Sequence, residues 1–242
     1  SPAVLLKCAE LLRVSASVRS ALVTERENTP VITAMASLLQ PLKTLEENIS
    51  DAILSEDEIA DRASAELADI RRHIRLANDR IRDRLNSMAH GSAWSKYLME
   101  PIITMRNGRY VLPVRQEFRQ NVPGLVHDQS STGATLYIEP MAVVELGNEL
   151  KDWHAKEKKE IERILLALSA QVGDAADLMD RNIQVLCRLD VIFAKACYSR
   201  HIEGICPKIN DEGRIRLLRA RHPLISPQTV VPSTLWLGED FT

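Results

Sequence analysis

No stretch of this 242-residue chain approaches the ~20 consecutive apolar residues that a membrane-spanning helix needs. The first 25 residues lack the basic, apolar, small-residue order of a secretory leader. Cysteine is scarce. Cys8, Cys187, Cys197 and Cys206 include no C-x-x-C pair, which speaks against a zinc knuckle. Four scattered cysteines in a chain this long read as free cytosolic thiols, packed in helices as small hydrophobes. Neither sign of charge prevails, since 31 Lys+Arg face 33 Asp+Glu for a formal net charge of −2. A membrane protein, a disulfide scaffold and a strongly basic nucleic-acid tail are thereby set aside. With 45 % hydrophobic and 26 % charged residues, a globular cytoplasmic protein is expected.

Catalytic signatures are missing as well. The chain has no G-x-x-x-x-G-K-[ST] phosphate loop, no G-x-G-x-x-G and no G-x-S-x-G. The six histidines (His73, His90, His127, His154, His201, His222) lie far apart, and none pairs with another His or Cys at metal-ligand spacing. His127 beside Asp128 could form an acid/base pair, but a polar strand edge is the preferred reading. No metal site and no catalytic residue is expected.

Gly and Pro are absent between Pro41 and Gly91. Between Met141 and Glu203 only Gly147 and Gly173 occur. Residues 100–140 hold seven: Pro101, Gly108, Pro113, Pro123, Gly124, Gly133 and Pro140. The tail from Gly204 holds seven more. Helix-friendly blocks therefore flank a turn-rich block, and a second turn-rich block follows.

Residues 3–26 read as a helix carrying Leu5, Leu12 and Leu22, ended by Asn28-Thr29-Pro30. A second helix is expected from Val31 toward Asn48, kinked or split by Pro41. The clearest seam is Leu67, Ile70, Ile74, Ala77, Ile81, Leu85 and Met88, spaced by threes and fours on one helical face. Ser64 is its preferred N-cap, with Ser55 and Glu58 a rival capping box. After Pro140, placed in a first helical turn, a second seam runs Leu146, Leu150, Trp153, Ile161, Ile164, Leu168, Val172, Ala175 and Met179. One seam position, Glu157, is charged, and Gly147 and Gly173 are possible bends. Each seam is the other's natural partner, giving an outgoing and a returning helix packed antiparallel. At ~1.5 Å per residue, 25 helical residues would make an arm of roughly 37 Å.

Between the arms, apolar runs at 102–106 and 109–114 flank Asn107-Gly108, a strong hairpin signal. Pro113 assigns its stretch to an edge or a bulge. A second hairpin pairs 125–128 with 134–138, turning through 129–133. The expected fold is mainly α: two long antiparallel helices with a small antiparallel β sheet at their tip.

Charge adds a second layer. Six arginines (Arg71, Arg72, Arg75, Arg80, Arg82, Arg84) face Asp79 and Asp83, a local balance of +4. A solvated helix face laced with ion pairs is preferred over a phosphate contact. Around the sheet, Arg106, Arg109, Arg115 and Arg119 join Lys151, Lys156, Lys158 and Lys159. Backbone binding needs only such a local positive face. Ser130, Ser131, Thr132 and Gly133 offer donors of the kind that position phosphates, or form an ordinary hairpin loop.

At these residues the chain resembles a known family. The run Pro101-Ile102-Ile103-Thr104-Met105-Arg106-Asn107-Gly108-Arg109-Tyr110, continued to Val114, resembles the start of the clamp segment of the MutS family, type-two branch. So does Val122-Pro123-Gly124-Leu125-Val126-His127-Asp128-Gln129-Ser130, continued to Pro140. Residues 189–196, from Leu189-Asp190-Val191 to Ala196, resemble that branch's returning lever helix. Arg221-His222-Pro223-Leu224-Ile225 resembles the approach to its ATPase domain. Val230-Val231-Pro232 resembles the segment beside the adenine, with Val231 and Pro232 as partial nucleotide contacts, although Ser233 stands where the family has Asn.

The resemblance implies four parts: residues 1–99 as helical core and outgoing lever, 100–140 as β clamp, 141–203 as returning lever, and 204–242 as the start of an ATPase domain. It implies a dimeric parent protein that uses ATP and Mg, binds duplex or branched DNA, restrains recombination and carries a C-terminal Smr nuclease. Some members of the branch are linked to splitting stalled ribosomes, so an rRNA-binding arm is the alternative. The sequence looks cut just before the phosphate loop, so no cofactor and negligible nucleotide binding are expected of the fragment itself. Candidate nucleic-acid contacts are Arg106, Arg109, Arg115, Arg119, Ser130, Ser131 and Lys151.

Overall fold

A computed structural model describes residues 1–24 and 29–238. The chain divides into two compact units, one of Ser1–Ser20 and Gln40–Asp180, the other of Ala21–Leu39 and Arg181–Thr242.

The first unit opens with helix α1 (Pro2–Val23), which buries Leu5, Ala9 and Leu12. The expected helix end at Arg26 and the breaker Asn28 lie outside the described residues. Pro30 opens α2 (Pro30–Ser37) in the second unit, and α3 (Lys43–Ala52) follows in the first. Pro41 falls between them, so it splits the expected helix, because proline removes a donor from the ladder and clashes with the preceding turn.

A two-stranded ladder of β1 (Ile53–Ser55) and β2 (Glu58–Ile59) comes next. Ser55 and Glu58, the rival capping box, are cross-strand partners in it. Ser64 instead caps α4 (Ala65–His90): its backbone is extended, and its Oγ accepts a 2.9 Å hydrogen bond from the Leu67 N–H. The buried seam of α4 follows expectation from Leu67 to Leu85 and then passes to Ala89, with Met88 half-buried. A strict heptad drifts around a 3.6-residue helix, which accounts for the one-residue shift.

Four antiparallel strands follow in the order β3-β4-β6-β5: β3 (Thr104–Arg106), β4 (Arg109–Arg115), β5 (Gly124–Gln129) and β6 (Thr135–Pro140). Asn107 and Gly108 take φ of 51° and 74°, as a two-residue hairpin turn requires. Pro113 lies within β4, paired with Tyr137. Its carbonyl accepts from the Met99 N–H at 2.8 Å. A residue's N and O share one side of a strand, so the missing donor faces Met99, beyond the end of β3. No β4–β6 ladder bond is lost.

Pro140 ends β6 and N-caps α5 (Met141–Asp174). Helices α4 and α5 pack together. Ala175, at φ −95° and ψ 2°, ends α5 two residues after Gly173, and α6 (Ala176–His201) begins. The returning segment is therefore two helices, not one.

Two apolar clusters hold the unit. One joins Leu5, Leu12, Ile49, Leu67, Ile164 and Leu168 from α1, α3, α4 and α5. The other joins Ile74, Ile81 and Leu85 of α4 to Val143 and Leu150 of α5 and to Leu112, Val114, Leu136 and Ile138 of the sheet. The second unit contains α2, most of α6 and an antiparallel pair, β7 (Ile215–Ala220) with β8 (Ser233–Leu237).

Candidate nucleic-acid interface

Alternation along β4 and β6 sorts their side chains. Leu112, Val114, Leu136 and Ile138 enter the core. The intervening positions Arg109, Arg115, Thr135, Tyr137 and Glu139 share the opposite face.

Glu139 is the hub of that face and is only 2 % exposed. Its Oε1 accepts from Arg109 Nη1 at 3.3 Å, and its Oε2 lies 2.7 Å from His127 Nε2. Arg109 Nη2 donates to Asn148 Oδ1 of α5 at 2.7 Å. Gly147 leaves the room: a Cβ there would stand 2.5 Å from Glu139 Oε1 and 2.7 Å from Arg109 Nη1. Buried charges persist only when paired and hydrogen-bonded, and here two cationic or polar partners close around one carboxylate. His127 thus pairs with Glu139 rather than with its neighbour Asp128.

The turn between β3 and β4 folds onto β5. Asn107 Nδ2 donates to the His127 carbonyl at 3.0 Å. Arg106 Nε lies 3.2 Å from Asp128 Oδ2, its guanidinium sits 4.3 Å over the Tyr137 ring, and its Nη1 donates to the Met105 carbonyl.

The expected contacts therefore divide into two groups. Arg109 is tied to Glu139, and Arg119 donates to the carbonyls of Val122 and Gly124; both brace the fold. Ser130 holds its loop, its Oγ accepting from the Thr135 N–H at 3.1 Å. Arg115, Ser131 and Lys151 are exposed and without a partner among the described residues. Arg106 stands between the two groups. Lys158 and Lys159 are also exposed, while Lys156 lies 3.9 Å over the Trp153 ring.

The arginine run on α4 divides similarly. Arg71 donates to Asp61 at 2.6 Å, to the Ile59 carbonyl at 2.7 Å and to Glu157 of α5 at 2.8 Å. These acidic partners hold its pKa above the ordinary value despite partial burial. Arg72 pairs with Asp69, and Arg75 with Asp61. Arg82 lies 5.8 Å over Tyr110. Arg80 and Arg84 are exposed and have no partner among the described residues.

No family model matches the chain. Curated relatives do. "Endonuclease MutS2" of Acetivibrio thermocellus is 45 % identical over 244 residues, covering 100 % of this chain and 31 % of its own length. "Endonuclease MutS2" of Alkaliphilus oremlandii is 45 % identical over 242 residues, covering 99 % and 31 %. That of Caldanaerobacter subterraneus is 48 % identical over 218 residues, covering 90 % and 27 %. The chain belongs to the MutS2 family. It spans about a third of the length of these relatives.

Within this MutS2 chain, the segments that carry the resemblance occupy β3–β4, β5–β6 and α6. Arg221, His222, Pro223, Ile225, Val230 and Val231 line one cleft of about 580 Å³ in the second unit. Ser233 lines it too, while Pro232 does not. Apolar walls suit a purine ring, but Arg221 is engaged with Glu203 at 2.9 Å and no lysine lines the cleft. Among the described residues, no cluster of His, Cys, Asp or Glu could hold a metal, and no helix is long and apolar enough to cross a membrane.

Sequence reasoning missed Glu139 and Gly147. Their signals were present: a glutamate on the non-core face of a strand, and a glycine beside the seam residue Leu146 in an otherwise good helix.

Proposed function

We propose that this chain is the nucleic-acid-gripping part of a MutS2 protein. Residues 1–99 supply a helical core and outgoing lever, 100–140 the clamp, 141–203 the returning lever, and 204–242 the start of the ATPase domain. The clamp grips duplex or branched DNA through its phosphates. The observation that carries this reading is a sheet borne on two long paired helices, with Arg115, Ser131 and Lys151 exposed beside it. Cations without protein partners can replace condensed counterions on a polyanion, which makes binding salt-dependent.

In the whole protein, a cytoplasmic homodimer, ATP with Mg at the ATPase domain would shift the levers and so open or close the grip. The adenine would lie against Val231 in the cleft of the second unit, with the phosphates held by residues outside this chain. Restraint of recombination would follow from holding branched DNA, and strand cleavage would belong to the Smr domain. The test is binding of the 242-residue chain to duplex and four-way-junction DNA from 50 to 300 mM salt, with rRNA as competitor. We expect affinity that falls linearly in log–log form and a junction preference. Absence of binding at 50 mM, or binding indifferent to salt, would defeat the reading. Displacement by rRNA at far lower concentration than by DNA would make the ribosome the target.

A further inference from the structure

The sequence treats Arg106 and Arg109 alike, as two cations flanking one turn. The structure separates them. Arg109 is anchored to a carboxylate that is 2 % exposed and to Asn148 of α5. Arg106 meets Asp128, whose side chain is 46 % exposed, and its own side chain is 38 % exposed. Its Nη2 has no partner among the described residues. Its guanidinium is seated over the Tyr137 ring at 4.3 Å, and its turn is fixed by the Asn107 bond to β5.

We propose that Asp128 is an intramolecular stand-in for phosphate, and that Arg106 exchanges it for a backbone phosphate when nucleic acid binds. This rests on the nucleic-acid reading above and assigns the regulation of that same surface. The physical case has three parts. An exposed ion pair is weak and easily exchanged, and this one engages Arg106 only through Nε, whereas a phosphate can accept two parallel N–H bonds from one edge of a guanidinium. Stacking on Tyr137 keeps the fork oriented during the exchange, so little rotamer entropy is lost on binding. The Asn107 latch keeps the turn in place whichever anion Arg106 holds. Asp128 therefore lowers resting affinity and preorganises the cation, while Arg109 with Glu139 supplies the rigid footing.

The experiment is a double-mutant cycle on the 242-residue chain, read as duplex DNA affinity over a salt series. Asp128→Asn should tighten binding about threefold, as expected for releasing an exposed pair. Arg106→Gln should weaken binding and reduce the log–log salt slope by about 0.9, the equivalent of one phosphate contact. In the Arg106→Gln background, Asp128→Asn should change nothing. Arg106→Lys keeps the charge but cannot lie flat on the ring, and it should bind more weakly than the unaltered chain. An Asp128→Asn effect of equal size in both backgrounds would make Asp128 a general repulsive charge and overturn the proposal. So would no effect of Asp128→Asn in a chain that binds DNA. An unaltered chain that binds no DNA at 50 mM salt overturns the nucleic-acid reading and this proposal together.

Discussion

Replacing Gly147 by alanine sets two sizeable effects against each other. Alanine is better than glycine inside a helix by about 1 kcal/mol, and Gly147 lies well within α5. Helix propensity alone therefore predicts a stabilised protein. The site predicts the opposite. The new methyl carbon would stand 2.5 Å from Glu139 Oε1 and 2.7 Å from Arg109 Nη1, both far inside van der Waals contact. Neither group can retreat easily. The other oxygen of Glu139 is held by His127 at 2.7 Å, and the other terminal nitrogen of Arg109 is held by Asn148 at 2.7 Å. Forcing a methyl into such a place costs about 1–3 kcal/mol. Separating the buried carboxylate from its cation would cost about 3–5 kcal/mol, so the chain will accept strain first. Against the helix gain of about 1 kcal/mol, a net loss of about 2 kcal/mol is expected. Gly173→Ala is the control, because a Cβ there meets nothing within 4 Å. It should be neutral or stabilising by up to about 1 kcal/mol. Native-state hydrogen exchange at the amides of β4 and β6 reads the first unit locally, without assuming that the whole chain unfolds at once. If those amides exchange no faster in Gly147→Ala, or if both substitutions shift protection the same way, the packing argument is wrong.

Ser64→Ala removes the cap on the Leu67 N–H and a 2.6 Å hydrogen bond to Glu160. It should lower stability by about 1–2 kcal/mol in urea unfolding, with the first turn of α4 exchanging first. Hydrogen bonds from Arg163, and then from Ser64, hold the Glu160 carboxyl below the usual carboxylate range, and Arg71 does the same for Asp61. A carboxyl depressed in the folded state stabilises above its unfolded pKa, about 4, and that contribution is lost as pH falls through the folded value. The urea midpoint should therefore fall on acidification from about pH 5 to pH 3, with a smaller fall in Glu160→Gln. Arg115→Gln and Lys151→Gln should each reduce the log–log salt slope of DNA binding by about 0.9; an unchanged slope would remove that residue from the interface.

Much of the helical framework was legible in the sequence because its signals are local. The seam of α4, the Ser64 cap and the Asn107-Gly108 turn each depend on residues within a few positions of one another, so spacing alone identifies them. Pro41 as a break belongs to the same class. The polar site was not legible, because it depends on juxtaposition. Glu139, Arg109, His127 and Gly147 come from β6, β4, β5 and α5, and no spacing rule links them. His127 beside Asp128 illustrates the trap. Regular alternation would send these neighbours to opposite faces, but the pairing irregularity between Val126 and Asp128 breaks it, so the imidazole reaches Glu139 while Asp128, across from Tyr137, meets Arg106. The division of the arginines into braces and exposed cations was hidden for the same reason, since a charge reveals nothing in sequence about which carboxylate folding brings to it.

The charged position within the second apolar seam shows how the α4–α5 pair fixes its register. Apolar residues spaced by threes and fours set which faces meet, but they leave a slip of one heptad inexpensive, since leucine and isoleucine pack against each other at many offsets. The polar contacts remove that freedom. Ser64 meets Glu160, Arg71 meets Glu157, and His73 stacks on Trp153 with ring centroids 4.3 Å apart. Rising positions on α4 meet falling positions on α5, as an antiparallel pair in one register demands. A slip of seven residues along α5 would place Arg71 opposite Leu150 or Ile164, both buried, and would leave Glu157 without its arginine. A part-buried charge stripped of its partner costs about 1–3 kcal/mol, and the Ser64–Glu160 bond would fail in the same step. Glu157 interrupts the seam by composition and completes it by register: the apolar stripe brings the two helices together, and the charged position decides where along each other they stop.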